Sequence, residues 1–194
     1  MAMAITAKLE RMECERDSLL EQLHERECDL ASLRGLHAQL AQLLAIDVSN
    51  LVGAAMAVCQ AELTQSIVTR RMRPLRAVAM AEQIIQVLVL LLRNAAIATR
   101  GTGRPSVIHI DVRASGGRAR IRVSDNGFDA PPADFARLLA PWTGKETPAA
   151  GPRHGLLVCQ AIVRAHGGAL LCRRRWPHGC RFEFDIPLLE TAAS

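Results

Sequence analysis

Tyrosine is missing from this 194-residue sequence, and four phenylalanines and two tryptophans make up its whole aromatic content. No stacking platform for unpaired bases can be built from so few rings. Charge of one sign is also thin. The formal net charge is +5, and the basic residues are dispersed apart from Arg173, Arg174 and Arg175 and a second group at Arg70, Arg71, Arg73 and Arg76. Together these shortages exclude nucleic acid as the expected partner. The six cysteines, Cys14, Cys28, Cys59, Cys159, Cys172 and Cys180, form no CxxC pair and have no histidine at zinc-ligand spacing. They read as reduced thiols rather than a metal site or disulfide framework.

Long hydrophobic runs are absent as well. The first residues, MAMAITAKLERMECERD, contain no apolar core of signal-peptide length. The most lipid-like stretch, Ile84 to Ile97, is interrupted by Gln86, Arg93 and Asn94, and reads as too short and too polar to cross a bilayer. The expectation is a cytoplasmic protein with no direct membrane insertion, in which any membrane sensing comes from a separate sensor protein. A composition of 49% hydrophobic and 22% charged residues is that of a folded chain.

Between Lys8 and Ala45 there is no proline, and Gly35 is the only glycine. Leu9, Met12, Arg16, Leu19, Leu23, Arg26, Leu30, Leu33, His37, Leu40 and Leu44 recur at alternating intervals of three and four, which is the seam of a long helix that packs on another helix. Asp47, Ser49 and Asn50 supply turn and cap residues. The apolar positions Leu51, Val52, Ala55, Met56, Cys59, Leu63 and Ile67 extend a second helix from about Leu51 to Arg71. The reading is a helical hairpin over residues 1–72 that dimerises into a four-helix bundle.

Pro74 ends that region, and residues 73–194 form a second domain. Leu75 to Met80 reads as extended, and Ala81 to Thr99 as a mostly buried helix. Ser106 to Arg113 and Arg118 to Ser124 alternate as strands around a Gly116-Gly117 turn. A short helix is expected near Ala133 to Leu139. Gly155 to His166 reads as a helix ending at Gly167-Gly168. Ala169 to Arg174 and Arg181 to Ile186 read as closing strands. The fold class is α/β: a helical hairpin followed by a two-layer α/β sandwich.

Three segments of the second domain carry chemistry. QVLVLLLRNAAIAT, Gln86 to Thr99, sets one carboxamide, Asn94, among aliphatic residues, where its hydrogen bonds must find partners. VSDNGFD, Val123 to Asp129, puts a carboxylate at a strand exit beside a glycine that allows close backbone approach. GPRHGLLVCQAIVRAHGG, Gly151 to Gly168, feeds a flexible segment into a helix whose free N–H groups favour phosphate. Each signal is ordinary alone; their order and spacing are not.

Together they resemble the sensor histidine kinase ATPase family, whose fold is shared with gyrase and the Hsp90 chaperones. QVLxxLLxNAxxAT is similar to the N box and DNGxx to the G1 box. LLAPWTGK, Leu138 to Lys145, stands where the family has a phenylalanine-containing segment followed by Thr-Thr-Lys. GxxxGLxxxxxIVxxHGG resembles the G2 box and its helix, and CRFEFDIP, Cys180 to Pro187, the closing strand. The resemblance implies ATP and Mg2+ as cofactors. Asn94 would help hold magnesium and the phosphates, and Asp125 would accept from the adenine amino group. Gly127 would let adenine approach the backbone, Lys145 would sit in a mobile lid, and Gly155 with its helix would flank the phosphates.

Departures fall on these same sites. Leu90 replaces a second asparagine, or the catalytic glutamate of the related ATPases, and can neither bind magnesium nor activate water. Asp129 replaces the second glycine of the G1 box. Arg153 replaces the middle glycine of the G2 box, beside Pro152, and either compensates with its charge or plugs the site. Ile97 stands where many of these kinases have lysine.

In the hairpin, HERECDLASLRG, His24 to Gly35, resembles the H box, with Asp29 in place of its proline. By that resemblance His24 is the phosphoacceptor, with Glu25 poised to orient or deprotonate its ring. Three functions remain open on this reading. The first is a homodimeric kinase core passing phosphate from ATP to His24 and on to a response regulator receiver domain. The others are an ATP-independent histidine phosphotransferase and a non-catalytic pseudokinase regulator.

Overall fold

The structure is a computed structural model that describes residues 16, 19–24, 26, 27, 29–36, 39, 40, 44–128, 152–175 and 177–189, with side chains omitted at 152–154. The chain divides into two compact units, Met1–Leu43 and Leu44–Ser194. In the first, the described residues up to Leu36 are helical, as the three–four spacing requires. Leu19, Leu23, Leu30, Leu33 and Leu40 of the seam are all more than half exposed.

The second unit runs β1 (Ala45–Asp47), α1 (Val48–Val58), α2 (Gln60–Leu63), β2 (Ser66–Met72), β3 (Arg76–Val78), α3 (Ala81–Thr99), β4 (Ser106–Ser115), β5 (Arg118–Asp125), α4 (Pro152–Ala165), β6 (Leu171–Arg174) and β7 (Cys180–Pro187). Five strands form one sheet in the order β2-β4-β5-β7-β6, and β1 pairs with β3 in a small ribbon. Only β2 lies parallel to its neighbour, with Ile67 opposite Val107; the remaining pairs are antiparallel.

Helices cover one face of the large sheet. Ile108, Ile110, Ile121, Val123, Phe182, Phe184 and Ile186 point inward from alternating positions and meet Ile84, Leu88, Leu91 and Leu92 of α3. Each such side chain contributes about 1.5–3 kcal/mol of burial. The α3 helix packs against α1, α4, β4 and β5. Contrary to the sequence reading, its length and hydropathy reach the range of a membrane-crossing helix. Its apolar positions are taken up by this core.

The hairpin turn came out as read: Gly116 and Gly117 have φ of 58° and 70°, the conformation such a two-residue turn needs. Gly167 likewise turns the chain after α4 with φ 66°. The expected short helix at Ala133 to Leu139 lies outside the described residues.

The second arm of the hairpin needs correction. No helix runs from Leu51 to Arg71: α1 stops at Val58, α2 ends at Leu63, and Ser66–Met72 is a strand. Val48, Leu51, Val52 and Ala55 bury their side chains in the core of the same chain, so α1 needs no second copy. Asp47 caps it, accepting from the Ser49 N–H at 2.7 Å. The β-branched run Ile67-Val68-Thr69 suits a pleated strand, and pairing with β4 satisfies its backbone. The boundary between units therefore falls at Leu43/Leu44 and not at 72/73.

Candidate nucleotide site

One face of α3 organises the site. Leu90, Asn94 and Ala98 follow each other at intervals of four and therefore form a stripe. At one end a Cβ placed on Gly155 of α4 would come within 3.3 Å of Leu90 Cδ2, so the leucine fills the space against the glycine. At the other end a Cβ on Gly127 would lie 2.4 Å from the Ala98 carbonyl oxygen. Gly127 is thus required by the approach of the strand exit to the helix backbone. Phe128 N–H then donates to Ala98 O at 3.0 Å.

Between these ends, the Nδ2 end of the Asn94 carboxamide is shut off from solvent with no hydrogen-bond partner among the described residues. A buried amide left so costs about 1–3 kcal/mol, an arrangement a polar ligand would relieve.

Asp125 closes β5 and is 1% exposed. Its Oδ1 accepts from Gly127 N–H at 2.8 Å and Cys180 N–H at 3.3 Å. Burial pushes its carboxyl above the usual carboxylate range, opposed by those two N–H groups and by Arg175. Arg175 also donates to the Asp125 backbone carbonyl at 3.4 Å. The turn between β6 and β7 packs on this carbonyl at Gly179, which has φ 95° and where a Cβ would sit 2.1 Å from Asp125 O. Gly179, Cys180 and Arg175 were missed as contributors to the site. Only the turn from Pro177 to Gly179 hinted at a constraint there.

Asn126 is consumed structurally: its Oδ1 accepts from Val107 N–H and its Nδ2 donates to Pro105 O, each at 2.9 Å. His166 also has a structural task. Its Nε2 accepts the Met80 N–H at 3.1 Å where α3 lacks a side-chain cap, and Nδ1 donates to Ile162 O.

Thus Leu90, one turn before Asn94, meets Gly155, while Gly127, bonded to Asp125, meets Ala98. Lys145 and Glu25 lie outside the described residues, as does the side chain of Arg153. His24 is exposed on the helical segment of the first unit. As to magnesium, Asn94 offers one carboxamide and Leu90 none. That fits a cation that keeps most of its waters and arrives on phosphate oxygens, and no group of three or more acidic, histidine or cysteine side chains that could hold a metal occurs among the described residues.

Comparison with known proteins places this geometry. A segment of 106 residues is 32% identical to the alginate biosynthesis sensor protein KinB of Pseudomonas aeruginosa, covering 55% of this chain and 17% of that protein. The mycobacterial sensor histidine kinase MprB superposes with a TM-score of 0.63 at 16% identity, over 74% of this chain and 96% of that one. Histidine kinase ThkA, in a crystal structure with the response regulator protein TrrA, superposes with a TM-score of 0.58 at 21% identity, over 83% of this chain and 48% of that one. Residues 79–190, more than half of the chain, match the family model, and the chain belongs to the histidine kinase-, DNA gyrase B- and HSP90-like ATPase family.

Proposed function

We propose that this chain is a two-component signalling protein of the cytoplasm whose α/β unit binds ATP and whose His24 takes the phosphoryl group for transfer to a response regulator. The observation that carries the reading is Asp125, a buried carboxylate at a strand exit. Both backbone donors go to its Oδ1, which leaves Oδ2 for the amino group of adenine. Asn94 would serve the phosphates and, with water, would help hold the Mg2+ they bring, and that cation would neutralise phosphate charge. By the family resemblance Lys145 would add positive charge for the phosphates, Arg153 would either do the same or plug the site, and the N–H groups opening α4 around Gly155 favour an anion.

His24 attacks the γ-phosphorus through a ring nitrogen; Glu25 orients the ring or takes its proton, and ADP leaves. A receiver domain is the natural acceptor, in keeping with the regulator bound to ThkA. The leucine seam supports a homodimer through the N-terminal helices: Leu19, Leu23, Leu30 and Leu33 repeat at heptad spacing and are exposed. A separate sensor protein would supply the input.

One observation favours a second reading. Leu90 occupies the space against Gly155, and a site closed there suits an ATP-independent histidine phosphotransferase or a non-catalytic regulator. Incubation with γ-labelled ATP and Mg2+ separates the cases. The kinase reading predicts acid-labile label on wild type and none on His24→Gln. Label from a phosphorylated regulator but not from ATP would install the phosphotransferase instead, and no label from either source would leave the regulator.

A further inference from the structure

The face of the large sheet turned away from the helices carries charge that the nucleotide site does not use. Three acids stand there, and three arginines of β5 take them all. Arg118 pairs with Asp185 at 3.0 Å and Arg120 with Glu183 at 3.4 Å, while Arg122 sits between Glu183 and Asp111. Arg71, Arg73, Arg113 and Arg181 are left with no anionic partner among the described residues. These four, with His109, Arg122 and its partner Asp111, border a groove of about 610 Å³.

Arg181 sharpens the point. Its Nε is buried and has no hydrogen-bond acceptor among the described residues. Exposed arginines are satisfied by water; a donor closed off from solvent in a basic groove is a donor waiting for an anion.

Register gives the dimensions. Arg71 lies opposite Asp111 on β4, which lies opposite Arg122 on β5. Arg181 of β7 sits opposite Ser124 and Arg113 opposite Arg120, one row to either side. From β2 to β7 is three strand spacings, roughly 14 Å. The free arginines are therefore rooted across a span wider than one small monoanion covers. The lining offers almost nothing apolar: Val112 is 2% exposed, and Met72 is half-buried. A protein partner lacks an apolar anchor here, and the lining holds no Phe, Tyr or Trp on which a base could stack, its one ring, the His109 imidazole, being bonded to Thr69. What fits is a flexible chain of phosphates, each presenting several acceptors to planar, bidentate arginine forks.

We propose that this groove is a second anion site, for a ligand carrying several phosphate groups in a row, on the opposite face of the sheet from Asp125 and Asn94. The site is independent of the reading of the nucleotide pocket.

The test is calorimetric titration of the full chain with sodium tripolyphosphate, orthophosphate and citrate at about 0.15 M ionic strength, where loose surface attraction is screened. The proposal predicts saturable binding of tripolyphosphate, about tenfold or more tighter than either orthophosphate or citrate. Arg71→Gln with Arg113→Gln, both at exposed positions, should weaken it about tenfold or more with an unchanged thermal melt. Arg181→Gln should weaken it separately, and Asp125→Asn should leave it intact. Repeating the titration with ATP in the Asp125→Asn background distinguishes a free oligophosphate from one carried by a nucleotide, and groove-dependent binding of either supports the site. Absence of saturable binding would overturn the proposal. So would citrate binding as tightly as tripolyphosphate, or binding that survives the arginine variants and disappears with Asp125→Asn.

Discussion

Replacing Gly127 with alanine tests the join between strand exit and helix. The added Cβ would lie 2.4 Å from Ala98 O and 2.5 Å from its carbonyl carbon, whereas ordinary contact begins at 3.4 Å. The loop must therefore withdraw by about 1 Å. Both atoms it meets are backbone within α3, which cannot yield as a side-chain tip would. Withdrawal stretches the 3.0 Å Phe128-to-Ala98 hydrogen bond to about 4 Å, beyond bonding range. Losing it costs about 1 kcal/mol, and overpacking adds roughly 1–3 kcal/mol, a total of about 2–4 kcal/mol. For a unit of this size the melting temperature should fall by about 4–16 °C. Urea denaturation and calorimetry read both quantities. Gly53→Ala is the control, since Gly53 lies inside α1 with nothing within 4 Å of the new methyl; it should stabilise by about 0.5–1 kcal/mol. A Gly127→Ala protein within about 0.5 kcal/mol of wild type would refute the packing argument.

Three further outcomes follow from the same geometry. The folded state raises the Asp125 pKa, so its contribution to stability is fully present below the unfolded value and lost as pH rises through the folded one. Asp125→Asn keeps the Oδ1 acceptor and should melt higher than wild type at pH 7, with the gap closing toward pH 4; a lower melt at pH 7 would contradict this. Burial pushes the Cys159 thiol up to about 12. It should resist iodoacetamide at pH 8 in the native protein and react only on unfolding, as peptide mapping would show. Leu90→Asn should strengthen the Mg2+-dependent part of ATP affinity about tenfold while costing roughly 1–2 kcal/mol of stability, read by titration with and without EDTA.

Much of this architecture is written locally in the chain. Ala81–Thr99 announces itself by helical periodicity, and Gly116-Gly117 between alternating strands leaves little choice of turn. Strand β2 was hidden because Leu63 and Ile67 happen to continue the four-residue spacing of α1, with no glycine or proline to break it. Its stabilising partner, β4, begins 40 residues later, where no local pattern reports it. The site divides in the same way. Asp125 and Gly127 are legible because a strand end, a carboxylate and a glycine are neighbours in sequence. The Cys180 N–H that holds Asp125 is 55 residues away, and the contact between Leu90 and Gly155 depends on how two helices cross. Leu90 was legible as a departure from the family pattern, but its filling of the space against Gly155 was not.

The central claim, that the α/β unit takes an adenine nucleotide on Asp125, is tested most directly by calorimetric titration of the protein with Mg-ATP, ADP and GTP. The account predicts saturable binding of ATP and ADP, weak binding of GTP, and loss of the adenine preference in Asp125→Asn. No saturable heat at millimolar ATP, or equal affinity for GTP in wild type, would contradict it.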